Sequence, residues 1–332
     1  MTETYSRLEP SSVEIGLSAA IVSVHDDEPE ALVVRSGSNG KSAPDSLPSG
    51  PFSPINHRTL DIGLRDWVRE QSGIDLGYVE QLYTFGDRGR HARPDDSVPH
   101  IVSIGYLALS RPLEEEPIGS AQWCSWYDYF PWEDWRQGKP SVLREVIEPR
   151  LRQWAELPQP TVSPSRPMDR NQRLRIAFGI GGGSWDEEKV LERYEILYEA
   201  GLVHEAERDG RAAATQWHEP YAIGKAMRFD HRRILATSIG RVRAKIKYRP
   251  VVFELMAPEF TLFELQKTVE AILGPHLHKQ NFRRLVESAG LVEPTGDLRV
   301  KTGGRPAKLF RFRSEVVLER PAPGVRIKAG RL

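Results

Sequence analysis

The sequence predicts an α+β chain: a mixed sheet-and-helix domain with a helical extension, followed by a C-terminal winged helix-turn-helix. Three observations carry this. Strand-like and helix-like segments alternate over residues 13–109. The stretch from Thr261 to Phe312 reads as a capped helix, a break, a second helix and a basic hairpin. Charge is split along a chain of zero formal net charge: from Lys225 onward 23 Lys and Arg face 10 Asp and Glu, a balance of +13, and the first 224 residues carry 23 against 36, or −13. Such asymmetry points to a nucleic-acid-binding end.

Residues 13–24 form an apolar run suited to a buried strand, with 31–35 as its hairpin partner across a polar turn at 26–30. Residues 37–54, rich in Gly, Ser and Pro, read as loop. Residues 59–71 read as a helix with Leu60, Leu64, Trp67 and Val68 on one face and Gly73 as its stop. Strands are expected at 79–85 and 101–109. Residues 111–140 read as an aromatic loop holding Trp123, Trp126, Tyr127, Tyr129, Trp132 and Trp135, a group suited to core or interface, with adenine stacking as the lesser reading. Residues 141–157 read as a helix and 158–167, with four prolines, as a linker. In the Gly-rich loop after Phe178, Ser184 and Glu187 fit a capping box, and acids at 186–188 would repel a phosphate, so a structural loop is favoured. Residues 230–247 read as a helix entering the basic third. The resulting division is a sensing domain over 1–225, with an extra helical segment at about 141–225, a linker helix over 226–248, a winged helix-turn-helix over 249–320 and a tail over 321–332.

In the C-terminal module, Thr261 and Glu264 fit a capping box ahead of the apolar stripe Leu262, Leu265, Val269, Ile272 and Leu273. Pro275 cannot continue the helix. The next helix, about 278–289, turns Phe282, Leu285, Val286 and Ala289 inward. Lys279, Gln280, Asn281, Arg283, Arg284 and Glu287 are left outside. Arg grips guanine edges, Gln and Asn pair with adenine, and Lys neutralises phosphate. On the following hairpin Lys301, Arg305 and Lys308 suit a wing touching the backbone or minor groove. The DNA-binding candidates are therefore Lys279, Gln280, Asn281, Arg283, Arg284, Lys301, Arg305 and Lys308. A helical hairpin used only for packing, dimerisation or protein contact is the weaker reading.

Tyr83 and Phe85, next to a loop with Arg88 and Arg90, suit a nucleotide's base and phosphates and are the ligand-binding candidates. A solvated loop with internal Arg–Asp pairs fits equally well. Cys124 is the only cysteine, which excludes an internal disulfide and a multi-cysteine zinc site. The histidines complete no metal spacing and no nucleophile–base pair is visible, so neither catalytic residues nor a metal are expected. The N-terminus lacks the features of a signal peptide and no apolar run spans a bilayer, so the expected location is cytoplasmic, with no membrane partner.

Four elements, Phe229-Asp-His231, the run from Pro258 to Gln266, Asn281-Phe-Arg-Arg284 and Gly304-Arg-Pro-Ala307, resemble the C-terminal module of the NrtR family, the Nudix-related transcriptional regulators of NAD metabolism. In that family the Phe-Asp-His element begins the helix joining sensor to DNA module. Leu47-Pro-Ser-Gly-Pro-Phe52 stands where Nudix folds place a Leu-Pro-Gly-Gly turn, and 64–74 where they place the Nudix helix. Residues 81–86 and 106–109 resemble the next two strands. The resemblance covers about 13–110 and 228–313. The divergent Nudix helix and the long extra segment resemble the NadQ subgroup, which represses de novo NAD synthesis genes.

The resemblance implies that the first domain is a degenerate Nudix-like α/β/α domain. A working Nudix box gathers carboxylates on one helix face to hold Mg²⁺ against a diphosphate. Anchored on Gly73-Ile74, its Arg position is Asp66, its first Glu is Trp67, its paired Glu-Glu is Glu70-Gln71, its distal Glu is Arg58 and its leading Gly is Phe52. One carboxylate of the cluster survives. The implied protein is a homodimeric repressor of de novo NAD biosynthesis genes that binds double-stranded operator DNA. It requires no cofactor and responds to an adenine nucleotide effector (NAD, ADP-ribose or ATP). The alternative is a divergent Nudix pyrophosphohydrolase acting on NAD or ADP-ribose. Residues 194–202, with Glu195 and Glu199, also resemble the end of a Nudix box, although a helix stopped by Gly201 is the commoner pattern.

Overall fold

The computed structural model describes residues 13–35, 37–38, 41–87, 90, 100–111, 116–158, 167–217, 223–300 and 306–315. Strand β1 (Val13–His25) turns at Asp26 and Asp27 into β2 (Glu28–Val34). Both aspartates sit in the left-handed region, at φ 46° and 65°. Two consecutive left-handed residues match the twist of a two-residue hairpin, and Asp tolerates that conformation.

Next come a short pair, β3 (Gly37–Ser38) with β4 (Lys41–Ser42), then β5 (Ser49–Pro51), α1 (Leu60–Ser72), β6 (Tyr78–Phe85), β7 (His100–Leu109) and β8 (Ala121–Ser125). The sheet order is β6-β7-β1-β2-β8, with β5 also on β1. Only β1 and β7 run parallel, with Ile21 opposite Ala108; the other pairs of this sheet are antiparallel. The expectation that residues 37–54 are loop is thus corrected, since three short strands lie within them. The N-terminal half of β1 lies beyond the reach of β2, and β5 satisfies its free edge there.

Strand β1 is buried on both faces, which explains its unbroken apolar run. Leu17, Ala19 and Ile21 pack with Leu64 and Val68 of α1. Ala20, Val22 and Val24 join a second core on the opposite face. That core contains Trp126, Tyr129, Phe130 and Trp132, all fully buried. The expectation of an aromatic loop at 111–140 is corrected accordingly. β8 pairs with β2, Leu32 opposite Trp123, and runs into α2 (Trp126–Tyr129) and a 3-10 turn at Pro131–Glu133. Five residues with interspersed aromatics give little strand periodicity to read.

The extension comprises a π-helical turn at Leu143–Ile147 leading into α3 (Glu148–Glu156), then α4 (Arg170–Phe178), α5 (Val190–Glu199), α6 (His204–Arg208) and a 3-10 turn at Ala212–Gln216. It packs on α7 (His231–Tyr248), which begins at the Phe-Asp-His element. The Ser184–Glu187 capping box does not form, because α5 starts only at Val190. Lys247 of α7 takes the acids instead, at 2.5 Å from Glu187 and 2.7 Å from Glu188.

After a 3-10 turn at Pro250–Leu255 come α8 (Leu262–Leu273), α9 (Lys279–Ala289), β9 (Val292–Arg299) and β10 (Ala307–Phe312). The capping box of α8 is present: the Glu264 amide donates to Thr261 Oγ1 at 3.1 Å and the Thr261 amide to Glu264 Oε2 at 2.8 Å. Phe260 and Phe310 exchange backbone hydrogen bonds of 2.9 and 2.8 Å, joining the wing to the chain ahead of α8. The far end of α8 docks on the first domain: Tyr127 donates its hydroxyl hydrogen to the Ala271 carbonyl at 2.8 Å. One core therefore runs from the sheet through α7 into the winged helix. Among the described residues, no helix is long and apolar enough to cross a membrane.

Candidate nucleic-acid interface

Helix α9 is strongly two-faced. Phe282 and Val286 are buried, Leu285 and Ala289 half-buried, and Lys279, Gln280, Asn281, Arg283, Arg284 and Glu287 exposed. Its direction is set by the turn behind it. Glu270 accepts from the Leu277 amide at 2.9 Å and the Gln266 amide at 2.8 Å, with Lys267 and His276 each 3.3 Å away. Burial alone would raise the Glu270 carboxyl, but these donors hold it below its ordinary value. Lys308 is exposed on β10. Arg299 bonds Glu264 at 2.5 Å and the Glu259 carbonyl at 3.1 Å, pinning the wing to the start of α8. Lys301 and Arg305 lie outside the described residues.

The positions where a Nudix box would gather metal-binding carboxylates hold a clasp instead. Trp67 donates to the Pro51 carbonyl at 2.9 Å. Gln71 donates to the Ser49 carbonyl at 2.7 Å and accepts from the Ser49 amide at 3.1 Å. Gly50 lies so close that a Cβ there would meet the Trp67 ring at 2.2 Å. The Leu47 amide donates to His231 Nδ1 at 3.0 Å, so the ring proton sits on Nε2, 3.4 Å from Ser18 Oγ. The turn that would face a diphosphate is thus tied to both α1 and α7. Among the described residues, no group of three or more His, Cys, Asp or Glu could hold a metal ion.

The ligand candidates separate. Tyr83 is 61 % exposed, whereas Phe85 is buried, with the Arg233 guanidinium 5.2 Å from its ring. Arg90 makes a two-pronged bond to Glu195 at 3.1 and 2.6 Å, lies 3.5 Å from Asp230 and covers the Tyr198 ring at 3.9 Å. Arg233 joins the same cluster through Glu195, Asp230 and Asp87. Burial pushes the Asp230 carboxyl up against the pull of Arg90 and Arg233. Arg90 matches neither reading of this loop as it stands: it is ion-paired, but with Glu195 and Asp230 outside the loop and largely out of solvent; Phe85 is core, and Arg88 lies outside the described residues. Glu195 and Glu199 are also ion-paired, the latter with Arg173 at 2.7 Å, and residues 194–202 form the end of α5 and its stop.

One cluster has no announcement in the sequence. Glu133, Arg193 and Arg243 meet with their side chains essentially sealed from solvent. Glu133 bonds Arg193 at 2.6 and 2.8 Å and Arg243 at 2.6 Å. Arg243 also donates to the Ile272 carbonyl of α8 at 2.8 Å and the Glu187 carbonyl at 3.1 Å. A single guanidinium on α7 therefore touches the sheet domain, the extension and the winged helix.

These features define a chain with a winged helix of the DNA-reading kind seated on a sheet domain whose Nudix carboxylates have been replaced. Residues 252–312 match the family model of the NrtR DNA-binding winged helix domain, so the C-terminal module is a winged helix of the NrtR type. The ADPR responsive transcriptional repressor NtrR of Acinetobacter baylyi is 42 % identical over 91 residues, which is 27 % of this chain and 36 % of that protein. The match thus spans about a third of that relative's length. The crystal structure of Shewanella oneidensis NrtR complexed with a 27mer DNA is 18 % identical over 92 % of this chain and 95 % of that one, with a TM-score of 0.52. A MutT/nudix family protein from Enterococcus faecalis is 16 % identical over 92 % and 88 % of the two chains, with a TM-score of 0.50. The fold is accordingly a Nudix-like domain followed by a winged helix.

Proposed function

We propose that this chain is a DNA-binding transcriptional repressor of the NadQ kind, acting in the cytoplasm on de novo NAD biosynthesis genes. One observation carries the reading: α9 presents Lys279, Gln280, Asn281, Arg283 and Arg284 to solvent on a module matching the NrtR winged helix. In helix-turn-helix docking, the N-terminal part of the second helix meets base edges. Exposed Lys308 on β10 extends the basic surface to the wing, and Lys301 and Arg305 are proposed as further contacts from their place in the sequence. Two half-sites read by a homodimer would multiply the modest affinity of one helix.

The effector in this reading is an adenine nucleotide bound by the Nudix-like domain, with exposed Tyr83 as a base-stacking candidate. ADP-ribose is the first to test, ahead of NAD and ATP, because the Acinetobacter relative is named as ADPR responsive. The effector must favour one arrangement of the winged helices over another, or nothing switches. In this reading no cofactor is required and the chain is not a hydrolase, which is supported by Trp67 and Gln71 standing at metal positions and holding Pro51 and Ser49. The test is fluorescence anisotropy on duplex from upstream of the NAD-synthesis operon in the source genome, titrated with ADP-ribose, NAD and ATP. Specific binding that one nucleotide shifts supports the reading. Binding no better than to a scrambled duplex, whatever the nucleotide, removes it, and Mg²⁺-dependent release of AMP would favour the hydrolase.

A further inference from the structure

A groove of about 750 Å³ lies between the β1–β2 turn of the sheet domain and the winged helix. Val24, Leu255, Met256 and Phe260 contribute apolar surface to it. Lys279 and Arg283, from the first turns of α9, also line it, as do Asp26 and Asp27.

The acidic turn is held in place. Arg136 donates to the Asp27 carbonyl at 3.4 Å and to the Glu28 carboxylate at 2.5 Å, and lies over the Tyr127 ring at 4.7 Å. Tyr127 is the residue that bonds the end of α8, so the turn and the winged helix share one support. Arg136 is shared between Glu28 and Asp134, the latter bonded at 2.8 and 2.9 Å. Among the described residues, the carboxylates of Asp26 and Asp27 have no Lys or Arg partner, and Asp26 faces His25 at 3.8 Å. Lys279 and Arg283 are exposed and likewise make no ion pair among the described residues. Two uncompensated carboxylates and two uncompensated cations therefore line one groove. Exposed charges interact across a Debye length, about 8 Å at physiological salt.

A phosphate approaching Lys279 or Arg283 by this groove meets the carboxylates too. We propose that the Asp26–Asp27 turn is an electrostatic brake on DNA binding: an internal competitor for the cations at the start of α9. The inference rests on the DNA-reading assignment above and adds a regulator to that site.

The test is anisotropy on the full chain carrying Asp26→Asn and Asp27→Asn, since Asn tolerates the left-handed backbone. Asp26→Asn with Asp27→Gly, a favoured hairpin turn, repeats the neutralisation with a second sequence. The control, Glu145→Gln with Glu156→Gln, makes the same charge change at two exposed carboxylates of the helical extension that do not line the groove. Neutralising the turn should tighten binding to matched and scrambled duplexes alike by about five-fold at low salt, the gain disappearing by about 0.5 M. The control should bind as the parent does. Unchanged affinity in both turn variants, or equal tightening in the control, overturns the brake and leaves the DNA-reading assignment standing. Duplex binding by the turn variants alone supports the brake in its strongest form. Absence of duplex binding by every protein removes the assignment and the brake together.

Discussion

At the scale of single residues, the exposed and buried arginines have opposite jobs. Arg284 is exposed on α9, so removing it touches no core. Arg284→Ala should weaken duplex binding and lower the slope of log affinity against log salt by about one, with unfolding stability changed by less than about 0.5 kcal/mol. Anisotropy at several salt concentrations and a urea melt check both halves. Arg243 and Arg193 converge on Glu133 with no solvent to screen them. Glu133→Gln leaves two buried guanidinium groups without a counter-charge and should cost about 3–5 kcal/mol. Replacing all three residues by apolar side chains of similar volume should recover most of that loss, because the desolvation penalty goes with the charges. Urea unfolding of the single and triple variants decides it; a triple variant no better than Glu133→Gln would mean that the cluster adds stability outright.

At the scale of elements, the signals written in local spacing are the ones the structure returns. The capping box at Thr261, the left-handed Gly73 and the two-faced pattern of α9 all appear as read, because caps and stripes are decided within one or two turns. β5 and β8 were not legible, since each is a strand only by virtue of the edge it meets. The ion clusters of Glu133 and of Arg90 were hidden for the same reason: their members lie far apart in sequence. Thr261→Ala should cost about 1 kcal/mol through the lost cap. The turn between α8 and α9 also fixes a pH dependence. Glu270 is held below its ordinary value of 4.5 in the folded chain. Its stabilisation is therefore present above that value and is lost as pH falls through the lower folded one. Asp230, pushed up, has the opposite sign: folding gains relative to the unfolded chain as pH falls through its raised value. Glu270→Gln should flatten the acid side of the stability curve, which urea midpoints measured from about pH 6 down to about pH 3 would show. An acid limb as steep as the parent's would refute this role.

At the scale of the whole molecule, the Nudix-like domain and the winged helix are built as one body. The sequence marks a linker helix between two units, and α7 does occupy that place. Yet α7 is sealed on several sides, with Ile234, Leu235, Ile239, Val242 and Ile246 all fully buried. Arg232 at its start bonds Glu205 and the carbonyls of Tyr129 and Ile223, and Arg243 a few turns on reaches α8. Tyr127 adds a second tie from the sheet domain to α8. Units joined by a solvated linker unfold in separate steps, whereas units sharing a core and buried charges lose both together. The chain should therefore unfold in one calorimetric transition, with van't Hoff and calorimetric enthalpies in agreement. Tyr127→Phe with Arg243→Met, which cuts both ties to α8, should split that transition, the winged helix melting first because its own core is small. Two transitions in the parent protein would show that the shared core carries little coupling energy, and an effector would then have to act by some route other than α7. A single transition that splits on cutting the ties would show that Arg243 of α7 and Tyr127 carry the coupling between the sheet domain and α8.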